Sequence, residues 1–180
     1  MIAGSLARRY GKALVSLGAE RNQHDALGAE ISAIARTLEI SPELRRLLDN
    51  PVFPLGQRRA VVEALLGRLS TSRTVRAFVM ILLDRGRVAL LPAIVREHRA
   101  LADEHLGRVR AVLTSARPLD PGVEDRIRAT LSRRTGKTVL SETRQDRSLL
   151  GGLKVQIGDV LYDGSVHAEL LRIREQLLSA

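Results

Sequence analysis

The sequence contains no cysteine, and this absence excludes disulfide bonds, thiolate metal sites and a cysteine nucleophile. Tryptophan is also missing, and the aromatic residues are two tyrosines and two phenylalanines, which offer few stacking surfaces for single-stranded nucleic acid. The longest apolar run, residues 78–83, is far shorter than the roughly 18 residues of a membrane span. We therefore expect membrane association only through partners.

The net charge is +9, and all but three of the 29 basic residues are arginine. A basic balance of this size can indicate a nucleic-acid-binding protein. Here the basic residues cluster no further than pairs such as Arg45-Arg46 and Arg133-Arg134, and acidic residues are interleaved throughout. The distribution favours an ordinary solvated surface and no nucleic-acid partner, with a basic nucleic-acid-binding scaffold as the alternative function.

Residues 1–106 have the periodicity of successive amphipathic helices. In the first of them, apolar residues recur three and four positions apart, at Leu6, Tyr10, Ala13, Leu14 and Leu17. Similar stripes follow, separated by proline, glycine and capping residues that stop one helix and start the next. We predict a six-helix bundle for this half of the chain.

The period changes from 3.6 to 2 near residue 107. Val109, Ala111 and Leu113 alternate with their neighbours as in a half-buried strand. Asp120-Pro121 supplies an N-cap and a first-turn proline for a helix, and Gly158-Asp159 is typical of a two-residue hairpin loop. Residues 107–180 therefore form a smaller α+β domain, and the predicted fold class of the whole chain is α+β.

The residues that usually carry chemistry do not form a recognisable site. Residues 133–138 end like a phosphate-binding loop, but Leu131 stands where that loop needs a glycine. His98 and His105 are about 10 Å apart along a helix, too far to share a metal. Ser165 lacks the second glycine of a nucleophile elbow and suits a helix N-cap. We predict no catalytic residue, cofactor or metal ion.

Three parts of the sequence go beyond general folding signals. Residues 7–14 read ARRYGKAL, and residues 50–58 and 78–87 supply a proline-bounded turn and an apolar run ending in DRGR. Residues 148–159 read SLLGGLKVQIGD. Together these stretches resemble the delta subunit of bacterial F-type ATP synthases, the counterpart of the mitochondrial oligomycin-sensitivity-conferring protein. The resemblance covers essentially the whole chain.

The resemblance implies a non-catalytic subunit of the peripheral stalk, or stator, of a proton-translocating ATP synthase. It implies that residues 1–106 bind the alpha-subunit N-terminal helix and the catalytic hexamer, while residues 107–180 bind the b subunits. Such a tether stops the catalytic head from turning with the rotor, so that torque drives ATP synthesis. The implied location is the cytoplasmic face of the bacterial plasma membrane.

In the family, the alpha-subunit helix lies in a groove between the first and fifth helices of the bundle. The resemblance, together with small and aromatic side chains that suit a docked helix, places this groove at Ala7, Tyr10, Gly11, Leu14, Ala77 and Phe78. The same side chains also suit the core of a bundle. For Leu14 and Phe78 the sequence leaves groove and core equally open.

Overall fold

The structure is a computed structural model that describes residues 2–178, with the side chains of residues 2, 3, 21, 173 and 175–178 left out. Over the described residues the fold is α+β, with eight α-helices and one four-stranded sheet. This confirms the predicted fold class. Contacts divide the chain into two compact units, Met1–Ala102 and Asp103–Ala180.

Helices alone make up the described part of the first unit. Short connections join six α-helices, and a 3₁₀ turn at Val88–Leu90 precedes the last of them. Their bounds are α1 Ile2–Arg21, α2 His24–Ile40, α3 Pro42–Asp49, α4 Leu55–Arg68, α5 Arg73–Asp84 and α6 Leu91–His105.

Helix boundaries in this unit follow from local capping chemistry. Ser41 caps α3 by accepting a hydrogen bond from the backbone N–H of Leu44 at 3.4 Å, and Pro42 occupies the first turn, where its missing N–H costs nothing. Ser72 caps α5 in the same way, and its own N–H donates to Glu30 of α2 at 2.7 Å. The last bond fixes the start of α5 against α2.

The helices of the first unit bury one apolar core. Four large apolar side chains of α2 are buried (Leu27, Ile31, Ile34 and Leu38), as are five of α5 (Val75, Phe78, Val79, Leu82 and Leu83), so these two helices contribute much of the core. The fully buried large side chains of the unit are Leu14, Ile31, Ile34, Val62, Leu66, Val75, Val79, Leu82, Leu83, Leu91 and Ile94.

The second unit is built on a mixed sheet with the strand order β2-β1-β3-β4. β1 pairs in parallel with β2 through the intervening helix α7, and antiparallel with β3, which forms a hairpin with β4. The elements are β1 Arg108–Ser115, α7 Pro121–Thr135, β2 Thr138–Gln145, a 3₁₀ turn Arg147–Leu149, β3 Gly152–Ile157, β4 Val160–Ser165 and α8 Val166–Leu178.

One face of the sheet is buried, as the alternation in β1 predicts. Ala111 and Leu113 are completely buried, and their cross-strand neighbour Val155 is 8% exposed. α7 is attached to this face, because Glu124 accepts a hydrogen bond from Ser141 of β2 at 2.7 Å. The β3–β4 hairpin has the predicted two-residue loop, with Ile157 paired to Val160.

The division between the units lies inside α6, four residues before the change of period at 106/107. An ion pair within the second unit joins this end of α6 to β1: the guanidinium of Arg110 donates to the carboxylate of Asp103, with Nε at 2.6 Å from Oδ2. Asp103 is 9% exposed, so the last turn of α6 is fixed to β1. The change in the spacing of apolar residues marks where β1 begins, but it does not predict the ion pair between Asp103 and Arg110.

Candidate docking grooves and surfaces

A depression of about 370 Å³ runs between α1 and α5 on the surface of the first unit. Its apolar part comes mainly from α1, with Ile81 supplied by α5. Arginine side chains occupy its edges. The lining residues are Leu6, Arg9, Tyr10, Ala13, Ile81, Arg85 and Arg87.

α1 supplies this surface because it has two apolar faces. Each residue advances about 100° around a helix, so Leu6, Tyr10, Ala13 and Leu17 lie along one side. Their side chains range from half-buried to exposed, and Leu17 is 40% exposed. A second stripe, about 100° away, is buried in the core and consists of Ala7, Gly11, Leu14 and Gly18.

Tyr10 is held in the groove by contacts with α5 and with the turn that follows it. Its hydroxyl accepts a hydrogen bond from Nη1 of Arg87 at 2.7 Å. Its ring meets Phe78 edge to face, with centroids 6.1 Å apart and planes at 79°. The turn at Gly86 reverses the chain so that the N–H of Arg87 bonds the carbonyl of Leu82 at 2.8 Å. This turn brings the Arg87 guanidinium to the tyrosine.

α5 divides its side chains between the core and the groove. Phe78 is 7% exposed and belongs to the core, whereas Ala77 beside it is exposed. Ile81, one turn after Ala77, is 52% exposed although it lies in an apolar run. An isoleucine this exposed on a helix that is otherwise half-buried marks the free side of α5.

Four of the six predicted groove residues lie beneath the groove. Ala7, Leu14 and Phe78 are core residues with exposed fractions of 1%, 0% and 7%, and Gly11 is buried. A Cβ atom on Gly11 would come within 3.0 Å of the Glu97 Cβ and the His98 nitrogen of α6. The small size of Gly11 therefore permits the close approach of α6. Tyr10 and Ala77 are the predicted residues that reach the surface.

Leu6, Ala13 and Ile81 were absent from the predicted set, yet they line the groove. On α1 the sequence does contain a signal for these positions, because Leu6, Tyr10 and Ala13 share one side of the helix. Leu14 lies on a neighbouring side, and the three- and four-residue spacing alone does not separate the two sides. For Ile81 the sequence carries no such signal. Residues 78–83 are apolar without interruption, so no period separates the inner from the outer positions.

Exposed apolar side chains are also concentrated on the second unit, at the edge strand β4 and the helix that follows it, with Leu161 on the opposite face of the sheet from Val160 and Tyr162. Six large apolar side chains there are exposed by 44% to 53%. Three come from β4 and three from α8, and they are Val160, Leu161, Tyr162, Val166, Leu170 and Leu171. Nearby, Leu150 is 67% exposed and has a φ of 62°, an uncommon conformation for a branched side chain.

Two open apolar surfaces, one on each unit, are features of a protein-binding scaffold. Among the side chains that the structure describes, no three His, Asp or Glu residues are grouped to hold a metal ion. No helix in the same range has the length and hydropathy to cross a membrane.

Comparison with known proteins identifies the class of scaffold. Residues 6–177 match the family model for the ATP synthase delta (OSCP) subunit. ATP synthase subunit delta of Anaeromyxobacter sp. (strain Fw109-5) is 45% identical over 98% of this chain and 99% of its own length. The subunit of the same name from Geobacter metallireducens is 41% identical, with 98% of each chain covered. The chain therefore belongs to the ATP synthase delta (OSCP) subunit family.

A solved structure shares the fold. A chain in the cryo-EM structure of the Toxoplasma gondii mitochondrial ATP synthase hexamer superposes with a TM-score of 0.67, covering 96% of this chain and 97% of that chain. The two sequences are 23% identical, so the likeness concerns the fold alone.

Proposed function

We propose that this protein is a static tether whose first unit captures a helix from the catalytic head and whose second unit holds the b subunits. By its family it is a peripheral-stalk subunit of an F-type ATP synthase, and it belongs to a membrane-associated complex. The chain itself performs no catalysis: its contribution is to keep the head from following the rotor. Its place is the cytoplasmic face of the plasma membrane, which it reaches through its partners.

The observation that carries the proposal is the open groove between α1 and α5. The α1 side of the groove consists of Leu6, Tyr10 and Ala13, and the same side of the helix continues to Leu17 outside the groove lining. From Leu6 to Leu17 this apolar side spans about three helical turns, enough to contact another helix along its length. The six helices form a bundle that presents this groove ready-made. A partner helix that fills it buries the exposed parts of Ile81 and Leu17, which stabilises the complex.

The six residues predicted from the sequence have two different roles in this proposal. Tyr10 contacts the alpha-subunit helix directly because it lines the groove. Ala77 contacts it at the edge of the groove, since it is exposed on α5 one turn before Ile81. The other four determine the shape of the groove from below, because they pack α1 and α5 against the rest of the bundle. These four are Ala7, Gly11, Leu14 and Phe78.

For the b subunits we propose the apolar surface of β4 and α8. Tyr162 and Leu170 are 51% and 52% exposed. A helix or strand of the stalk that covers both would remove them from water. The exposed edge of β4 adds backbone groups that can pair with a partner.

Paired substitutions in the full-length chain test the division of partners. Ala77→Glu places a carboxylate at the edge of the first groove, one turn before Ile81, without leaving a cavity, and Leu170→Glu places one on α8. Calorimetry then measures binding of an alpha-subunit N-terminal peptide and of a soluble b dimer to each variant. Each substitution serves as the control for the other.

We expect Ala77→Glu to weaken the peptide at least about 10-fold and to leave b binding unchanged, and Leu170→Glu to do the reverse. Helical circular dichroism should match the unsubstituted protein in both variants. The assignment is contradicted if a single substitution abolishes binding of both partners. It is also contradicted if neither substitution weakens binding of either partner. A stoichiometric ATP site in the isolated chain would contradict its non-catalytic role.

A further inference from the structure

Three arginines surround the apolar floor of the groove between α1 and α5. Arg9 comes from α1, and Arg85 and Arg87 come from the end of α5 and the turn after it. No carboxylate among the described residues pairs with Arg9 or Arg85. Arg87 donates to a hydroxyl, that of Tyr10, rather than to a carboxylate.

The carboxylate that precedes Arg85 in sequence, that of Asp84, is paired with an arginine outside the groove. Asp84, the last residue of α5, accepts from Nη2 of Arg59 in α4 at 2.7 Å. That hydrogen bond and the attraction of Asp84 raise the pKa of Arg59. The α4 arginine therefore neutralises Asp84, and the groove keeps the positive charge of its own three arginines.

A helix that docks in this groove removes water from the arginines at its edges. Desolvating a cation is costly unless an opposite charge replaces the water. A guanidinium satisfies this need best with a carboxylate, because its planar donors fit two oxygens at once. An apolar or basic helix would cover the floor equally well, but it would leave the arginines uncompensated.

We infer that the groove selects an acidic amphipathic helix, whose apolar stripe covers Tyr10, Ala13 and Ile81 while its flanking carboxylates pair with Arg9 and Arg85. This inference rests on the proposed function, since the helix is the alpha-subunit N-terminal segment. It adds the charge that this segment carries and the residues that recognise it. Arg87 takes a separate role, positioning Tyr10.

The test uses the full-length chain and a synthetic peptide of the alpha-subunit N-terminus from the same organism. A second peptide has each Asp and Glu replaced by Asn and Gln. The protein variants are Arg9→Glu and Arg85→Glu. The matched control is Arg8→Glu, which makes the same change in net charge at an exposed position of α1 roughly 160° from Leu6.

At about 0.1 M salt we expect each groove substitution to weaken the acidic peptide about 5- to 30-fold, and Arg8→Glu to change its affinity less than about 2-fold. The effect should shrink at about 1 M salt, where the Debye length falls from about 10 Å to about 3 Å. The neutral peptide should bind more weakly than the acidic one and should respond little to either groove substitution. Circular dichroism and the milder Arg9→Gln and Arg85→Gln variants separate misfolding from lost recognition.

Failure of this inference is distinguishable from failure of the proposed function. If both peptides bind equally and all three glutamate variants behave alike, the charge preference is wrong while the groove remains the binding site. If neither peptide binds the unsubstituted chain, the groove assignment is wrong and the charge preference falls with it.

Discussion

Gly11→Ala tests whether the small residues of α1 serve internal packing or an external partner. In a free helix the change would stabilise, because alanine is favoured over glycine by about 0.8–1.0 kcal/mol. Here the added Cβ meets the Glu97 Cβ and the His98 backbone nitrogen at 3.0 Å, and a backbone atom cannot move aside alone. α1 and α6 must separate by a few tenths of an ångström, and such overpacking typically costs about 1–3 kcal/mol.

The two effects have opposite signs, and the packing cost exceeds the propensity gain. We expect Gly11→Ala to lower the free energy of unfolding of the first unit by about 1 kcal/mol, equivalent to about 4–8 °C in Tm for a unit of this size. Urea unfolding followed by circular dichroism measures the loss, and hydrogen exchange assigns it to α1 and α6. Gly67→Ala is the control: nothing lies within 4 Å of its added Cβ, so it should stabilise by about 0.5 kcal/mol.

A different result would refute the reasoning. If Gly11→Ala stabilised the chain as Gly67→Ala does and weakened the alpha-subunit peptide, the added methyl group would be pointing into the groove. Gly11 would then be a contact residue, as the sequence alone suggests. An unchanged stability together with an unchanged affinity would show that α1 and α6 are further apart than the structure has them.

Four further substitutions separate stability, binding and pH dependence. Leu14→Ala should destabilise by about 2–5 kcal/mol because Leu14 is fully buried, whereas Ile81→Ala should hardly change the unfolding free energy and should weaken the peptide about 3- to 10-fold. Gly152→Ala should unfold the second unit at a clearly lower urea concentration, because its φ is 80° and its Cβ would overlap the Gly164 carbonyl oxygen. Hydrogen bonds from Ser165 lower the pKa of Asp163 below 3.8, so its stabilising effect is present above pH 3.8 and is lost as pH falls through the lowered value. Asp163→Asn should remove this contribution. The difference in unfolding free energy between pH 7 and acid pH, measured by urea titration, should therefore be smaller in the variant than in the unsubstituted protein.

The sequence predicts elements well where one periodicity is clear. The alternation of Ala111 and Leu113 identified β1 and its buried face, and Gly158-Asp159 identified the β3–β4 loop. The boundary between α2 and α3 falls at Ser41-Pro42, a capping residue followed by a proline, which is the kind of signal expected to separate two helices. In these cases the local chemistry and the tertiary environment favour the same conformation.

The groove was harder to predict because it depends on which neighbour occupies each side of a helix. α1 is apolar on two sides, and its periodicity does not say which side meets α6 and which stays open. A glycine such as Gly11 permits the approach of any helix, whether it belongs to the chain or to a partner. The position of Asp84, turned to Arg59, is a contact between residues 25 apart in sequence, and no local pattern encodes it.

The strand order of the second unit has a mechanical consequence for a tether. The chain enters the sheet of this unit at Arg108, the first residue of β1, and β1 lies inside the sheet with eight residue pairs to β2 on one side and five to β3 on the other. Interstrand hydrogen bonds run across the strand direction. Tension applied along β1 would therefore strain both ladders at once, in shear, whereas tension on an edge strand can open its bonds one after another. The chain that follows α6 thus leads into an interior strand, which resists being pulled out more than an edge strand would.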